Sequence, residues 1–158
     1  LVDVLRTLWG PGIVEWHGQN YDVPRLQMSP APPRPVPIWI GGHSDAALRR
    51  AARNDGWIGN AYPPAEAERH VERLQDARRK EGTLERDDFE IILGLSAPPD
   101  VDLYRRMEDL GVTGLLCAPW VASRSGAGGG ATAAVASRRS AKRAAIESFA
   151  ERFVQKLS

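Results

Sequence analysis

The sequence predicts an α/β fold built on a parallel sheet, and three observations carry that expectation. Strand-like and helix-like segments alternate between residues 36 and 118. The strand-like segments, 36–40, 56–61, 89–95 and 114–118, are short continuous apolar runs without in–out alternation. Such runs suit strands covered on both faces, as in parallel sheets wrapped by helices. Glycine or proline follows each of them, and after the first three a helical spacing of apolar residues begins.

In chain order, Leu1, Val4, Leu5 and Leu8 share one helical face, and Gly10-Pro11-Gly12 ends that helix near Trp9. Residues 13–23 read as two extended arms around a His17-Gly18-Gln19-Asn20 turn. Pro30, Pro32, Pro33, Pro35 and Pro37 then favour extended or polyproline II backbone. This stretch is either a linker or the entry into a buried strand. The strand 36–40 ends at Gly41-Gly42, and Ser44 is placed to cap a helix over 45–53 that buries Ala47, Leu48, Ala51 and Ala52. After the second strand, Pro63-Pro64 start a helix over 65–81 with Ala67, Val71, Leu74 and Ala77 inward and Gly82 as its stop. Its remaining positions, including Glu66, His70, Arg73, Arg78 and Arg79, read as a solvated face. A third strand over 89–95 leads to a helix over 101–110 closed by Gly111, and the fourth strand follows. Residues 123–137 are rich in Gly, Ala and Ser and read as a flexible insertion. The last helix, about 140–157, is expected to bury Ala145, Phe149 and Phe153 beside Ile146 and Leu157.

Composition limits the function classes. The chain has 158 residues, 42% hydrophobic and 26% charged, which suits one folded domain. A net charge of +1 gives no basis for binding nucleic acid or an anionic membrane. One cysteine makes no internal disulfide, so a reducing cytoplasm is expected. There is no apolar run of membrane-spanning length and no signal-peptide pattern. Helical pattern begins at Leu1 itself, as in a piece of a longer protein.

Chemistry is concentrated at Gly41-Gly42-His43-Ser44, where a strand meets a helix start. Paired glycines let a ligand approach the backbone, and helix N-terminal amides attract phosphate. Ser44 offers a further donor, and Asp45 mildly opposes an anion. The competing reading is an ordinary tight turn with Ser44 as its cap. His43 stands at the C-terminal end of a strand, the usual active-site side of α/β folds. His17, His43 and His70 have no metal-ligand spacing, so no metal is expected. Cys117 is read as a buried inert thiol in the fourth strand. Trp39, Trp57, Tyr62 and Trp120 either wall a pocket for a flat ring or simply pack the core.

Longer blocks carry a resemblance. Pro35-Val36-Pro37-Ile38-Trp39-Ile40-Gly41-Gly42-His43-Ser44, followed by Ala47-Leu48-Arg49-Arg50-Ala51-Ala52-Arg53-Asn54-Asp55-Gly56-Trp57-Ile58, resembles the bacterial luciferase-like monooxygenase family. Its branch using the deazaflavin coenzyme F-420 is the most similar. His17-Gly18-Gln19-Asn20-Tyr21, Leu110-Gly111-Val112-Thr113-Gly114-Leu115 and Phe149-Ala150-Glu151-Arg152-Phe153 also fit the family. The resemblance implies that residues 1–158 are the C-terminal half, about strands five to eight, of a TIM-like (β/α)₈ barrel. It also implies that Gly41, Gly42, His43 and Ser44 hold a cofactor phosphate, of F-420 or alternatively FMN. The implied activity is hydride transfer, or oxygen insertion in the flavin branch, on a small organic substrate, by a cytoplasmic protein homodimeric at full length. No catalytic residue is named by these motifs, and the half-barrel alone is expected to be inactive. A different class stays open: a non-catalytic α/β module binding a phosphate-bearing ligand or a partner. Exposed edge strands would then drive dimerisation or insolubility.

Overall fold

The computed structural model describes residues 1–119 and 133–157. Helix α1 (Val2–Leu8) encloses only Val4, and Leu1 is 66% exposed. Of the four residues sharing its apolar face, Val4 is fully buried and Leu5 and Leu8 are half-buried, because the helix packs mainly against a thin hairpin. That hairpin pairs β1 (Val14–His17) antiparallel with β2 (Asp22–Leu26), as the sequence predicted.

The main sheet holds β3 (Trp39–Gly41), β4 (Gly56–Tyr62), β5 (Glu90–Leu95) and β6 (Gly114–Leu116), all parallel and in chain order. Helices α2 (Asp45–Ala52), α3 (Pro64–Glu81) and α4 (Val101–Asp109) connect successive strands. β3 is shorter than the apolar run 36–40 suggested. Pro37 has no N–H to give a ladder, and the Ile38 N–H is taken by Asp55 Oδ2 at 2.9 Å. β6 likewise stops at Leu116, so Cys117 lies beyond the strand; it is exposed, not a buried strand thiol.

The core lies between the sheet and its helices. Ala47, Leu48, Ala51 and Ala52 of α2 and Ala67, Val71, Leu74 and Ala77 of α3 are all buried, as their spacing predicted. They close over Trp57, Ile91 and Leu93, and Met107 of α4 joins them. Each such large side chain contributes about 1.5–3 kcal/mol by leaving water. Two polar residues join this stripe against expectation: His70 and Arg78 of α3 are 7% and 5% exposed. Arg78 is admitted because its guanidinium bonds the carbonyls of Thr83, Leu84 and Arg86 and lies 4.1 Å from the Phe89 ring centre.

Among the described residues the sheet is covered on one face, not two. On the other, Trp39, Ile58 and Leu116 are 43%, 37% and 55% exposed. Helices on one side of a parallel sheet running in chain order are the arrangement of a barrel wall, whose inner face is covered by further strands.

Of the Gly/Ala/Ser-rich stretch 123–137, residues 123–132 lie outside the described residues, as does Trp120. Residues 133–137 open helix α5 (Ala133–Phe149), which continues into a π-helical turn, Ala150–Val154, and a last turn, Gln155–Leu157. Phe153 is enclosed here, against Phe149 and Tyr104 at ring distances of 5.0 and 6.1 Å. Ala145 and Phe149 are half-buried and Ile146 is exposed, so this helix buries less than its spacing suggested. The Leu157 side chain lies outside the described residues.

Candidate functional site

Gly41, Gly42, His43 and Ser44 form one exposed turn from the C-terminal end of β3 into α2. Gly42 has φ +96, a conformation unfavourable for any side chain, and a Cβ there would meet the Ala47 Cβ at 3.2 Å. Gly41 is open: a Cβ would find its nearest neighbours only at 3.9 Å. Ser44 caps α2, its hydroxyl accepting from the Ala47 N–H at 3.3 Å. This does not exclude the ligand reading, because a hydroxyl that accepts still has a proton to donate. The other first-turn amides of α2 have no intrahelical acceptor.

Trp57 fixes the turn from below, its indole N–H donating to the Gly42 carbonyl at 2.7 Å. A trans peptide sets C=O and N–H antiparallel, so the His43 N–H faces away from that indole. Trp57 and Tyr62 are buried and stacked with ring centres 6.3 Å apart, and Tyr62 lies 4.7 Å from the His70 ring. Of the four aromatics singled out in the sequence, these two form the floor of the turn. Trp39 stands on the bare sheet face.

Behind the exposed His43 ring, at 5.3 Å, is His70. Its Nδ1 accepts from Arg73 Nη1 at 3.2 Å, in the tautomer that leaves the proton on Nε2. That Nε2 is buried without a formed hydrogen bond; Glu66 Oε1 stands 3.5 Å away, close enough for attraction only. Burial pulls the His70 pKa below its ordinary value, with the charges of Arg73 and His43 acting the same way and Glu66 opposing. Arg73 Nη2 also reaches Asp45 Oδ1 at 2.6 Å and holds that carboxyl below its usual range.

A cavity of about 730 Å³ opens at the same end of the sheet, over the C-terminal ends of β4, β5 and β6. Ala61, Leu95, Leu116 and Phe149 give it apolar walls, and Arg152 adds a charge. Cys117 lines it too, with the Tyr104 hydroxyl 3.9 Å from its Sγ. Burial, followed by the neighbouring Cys117, pushes the Tyr104 hydroxyl pKa up. Among the described residues no group of three or more His, Cys, Asp or Glu is arranged to hold a metal.

Sequence reasoning missed His70, Arg73 and the tie from Trp57 to Gly42. A signal existed for His70: it lies three residues after Ala67 and four before Leu74, on the apolar stripe, and only its polarity argued for solvent.

A parallel sheet in chain order, with helices on one face and an open turn at the strand C-termini, is the arrangement of a (β/α)-barrel wall. The chain belongs to the luciferase-like monooxygenase family, whose model matches residues 1–152. A protein of Mycobacterium tuberculosis without an assigned activity is 41% identical over 115 residues, 73% of this chain and 39% of its own length. An F-420-dependent glucose-6-phosphate dehydrogenase of Nakamurella multipartita is 29% identical over 111 residues, 68% of this chain and 32% of its own. Among solved structures, an F-420-dependent secondary alcohol dehydrogenase in complex with an F-420–acetone adduct matches with a TM-score of 0.50. At 21% identity, over 64% of this chain and 32% of that one, it shows the fold. The chain thus spans about two fifths or less of these relatives. Among the described residues no helix is long and apolar enough to cross a membrane.

Proposed function

We propose that this chain supplies the cofactor-phosphate site of a deazaflavin-dependent oxidoreductase, with Gly41, Gly42, His43 and Ser44 holding the phosphate of coenzyme F-420. The observation that carries the reading is the open Gly-Gly turn, with Gly42 left-handed, running into a capped helix at the C-terminal end of β3. Similarity to F-420-dependent dehydrogenases favours that cofactor over FMN. When bound, the cofactor supplies the hydride chemistry. The chain's own part is to bind and orient it: backbone amides and the Ser44 hydroxyl meet the phosphate, and the Trp57–Tyr62 floor keeps the turn in shape. The apolar cavity beside Leu116 and Phe149 takes part of the small organic substrate and excludes water from it. We take the active form to be a complete barrel, homodimeric, in which this chain alone is inactive.

The test is a fluorescence titration of the complete reading frame with oxidised and reduced F-420 and FMN. Saturable F-420 binding, weakened in Gly42→Asp, is expected. Binding of neither cofactor, with inorganic phosphate still bound, would favour the non-catalytic module.

A further inference from the structure

We infer that Arg73 is a positioning residue for the anion site, making the Gly41–Ser44 turn receptive by cancelling the Asp45 carboxylate at its mouth. The inference rests on the phosphate reading above and extends it to a residue of the next helix.

Asp45 is the first residue of α2 and follows Ser44 directly. An acidic side chain there suits the helix dipole, and for that reason competes with a bound anion for the same positive end. In this chain the carboxylate is engaged. Arg73 arrives from α3, 28 positions later in the sequence, and its Nη2 lies 2.6 Å from Asp45 Oδ1. The other end of the guanidinium is also held, Nη1 donating to His70 Nδ1 at 3.2 Å. His70 is anchored in turn: it is 7% exposed, packed against Tyr62, and its ring lies 5.3 Å from that of His43 in the turn itself. A buried side chain thus fixes a guanidinium, which fixes the charge state at the turn. The other charges facing Asp45 are Arg49 of its own helix and Lys80 of α3, both with weaker effect than Arg73. Glu66 faces His70 from α3.

A purely structural reading predicts little. The pair is well solvated, with Arg73 and Asp45 side chains 42% and 78% exposed, and exposed ion pairs add almost nothing to stability. Placed beside an anion site, the same pair decides whether a full negative charge faces the ligand. The two roles separate in binding measurements, not in melting temperature.

The complete reading frame is titrated with inorganic phosphate and with F-420 at low ionic strength, where surface charges act over about 10 Å or more. Wild type, R73Q, R73K, D45N and the D45N/R73Q double variant are compared, with melting temperatures alongside. R73Q is expected to weaken both ligands by about three- to tenfold, the scale of one surface charge. The double variant, with both charges gone, returns to within about twofold of wild type, D45N alone binds at least as tightly, and R73K lies between wild type and R73Q. Melting temperatures stay together. An unchanged R73Q overturns the inference and leaves the phosphate reading standing. A double variant as weak as R73Q also overturns it, because Arg73 would then touch the anion itself. Should R73Q fail to fold, D45N still decides, since weaker binding in that variant contradicts the inference. Wild-type protein that binds neither probe overturns both readings.

Discussion

The two ends of the parallel sheet are built in opposite ways. At the end where the strands begin, Asp55 accepts from the Ile38 N–H at 2.9 Å and pairs with Arg6 and Arg86 at 3.2 and 3.3 Å. Its own N–H bonds the Ile38 carbonyl and its carbonyl receives the Glu90 N–H, so one residue joins β3, β4 and β5. Arg86 completes the knot through the Asn54 carbonyl and Asp88. Burial works against the Asp55 charge, yet the Ile38 N–H, Arg86 and Arg6 together hold its pKa below the usual value. At the end where the strands finish, an exposed turn is tied down by the Trp57 indole, beside an open cavity. A cavity of about 600 Å³ lies at the first end too, lined by Arg6, Pro37, Asp55 and Asp88, but the donors there are turned on the protein's own acceptors; the second end leaves amides and a hydroxyl for something else. Asp55-Gly56-Trp57 spans both: the carboxylate holds the closed end and the indole reaches the open one.

Changes at the closed end should therefore cost stability, and changes at the open end should cost binding. The largest effect is expected from Gly56→Val. A Cβ at Gly56 would lie 2.6 Å from Trp39 Cδ1 and 2.7 Å from the Glu90 carbonyl oxygen, which is backbone and has no room to yield. Loss of the cooperative thermal transition in circular dichroism is the expected outcome. Asp55→Ala comes next, at about 2–3 kcal/mol in a denaturant titration, because it strands the Ile38 N–H and removes a charge partner from Arg6 and Arg86. Its cofactor affinity should match wild type; a change there would mean that the two ends are coupled. Trp57→Phe should cost about 1–2 kcal/mol and also loosen cofactor binding, since it releases the Gly42 carbonyl while leaving a ring in the core. It is expected to affect both properties. Gly42→Asp against Gly42→Ala separates strain from charge: both lose about 1 kcal/mol of stability to the left-handed backbone, but Asp alone should markedly weaken F-420 binding in fluorescence.

The smallest effect is on pH dependence. His70 has a folded pKa below 6.5, so its stabilising contribution is full above 6.5 and is lost as pH falls through the depressed value. His70→Gln should flatten the stability profile on the acid side of 6.5 in melting experiments from pH 5 to 8. An unchanged slope would show that His70 titrates normally.

Much of this was readable in advance. The inward faces of α2 and α3 followed from their spacing, and Ser44 was identified as the cap because a hydroxyl before an apolar-periodic run has an amide to satisfy. The turn at Gly41–Ser44 was legible because glycine pairs mark backbone that other residues resist. His70 and Arg78 were not, because polarity outweighs period in a reading residue by residue; each is buried with part of its polar capacity met by near neighbours, Arg73 for His70 Nδ1 and the carbonyls of Thr83, Leu84 and Arg86 for the Arg78 guanidinium. Cys117 failed differently: the apolar run continued past Leu116, while β5 pairs with β6 only as far as Leu116.

By itself, then, the sequence determined the succession of strands and helices, the covered faces of the helices and the place of the turn, all of which depend on neighbours within a few residues. Tertiary structure alone decided which side of the sheet is bare, that Asp55 closes one end, and that Trp57, His70, Arg73 and Asp45 meet around the other. Those outcomes depend on groups up to 49 positions apart satisfying each other's hydrogen bonds and charges, a condition no local pattern encodes.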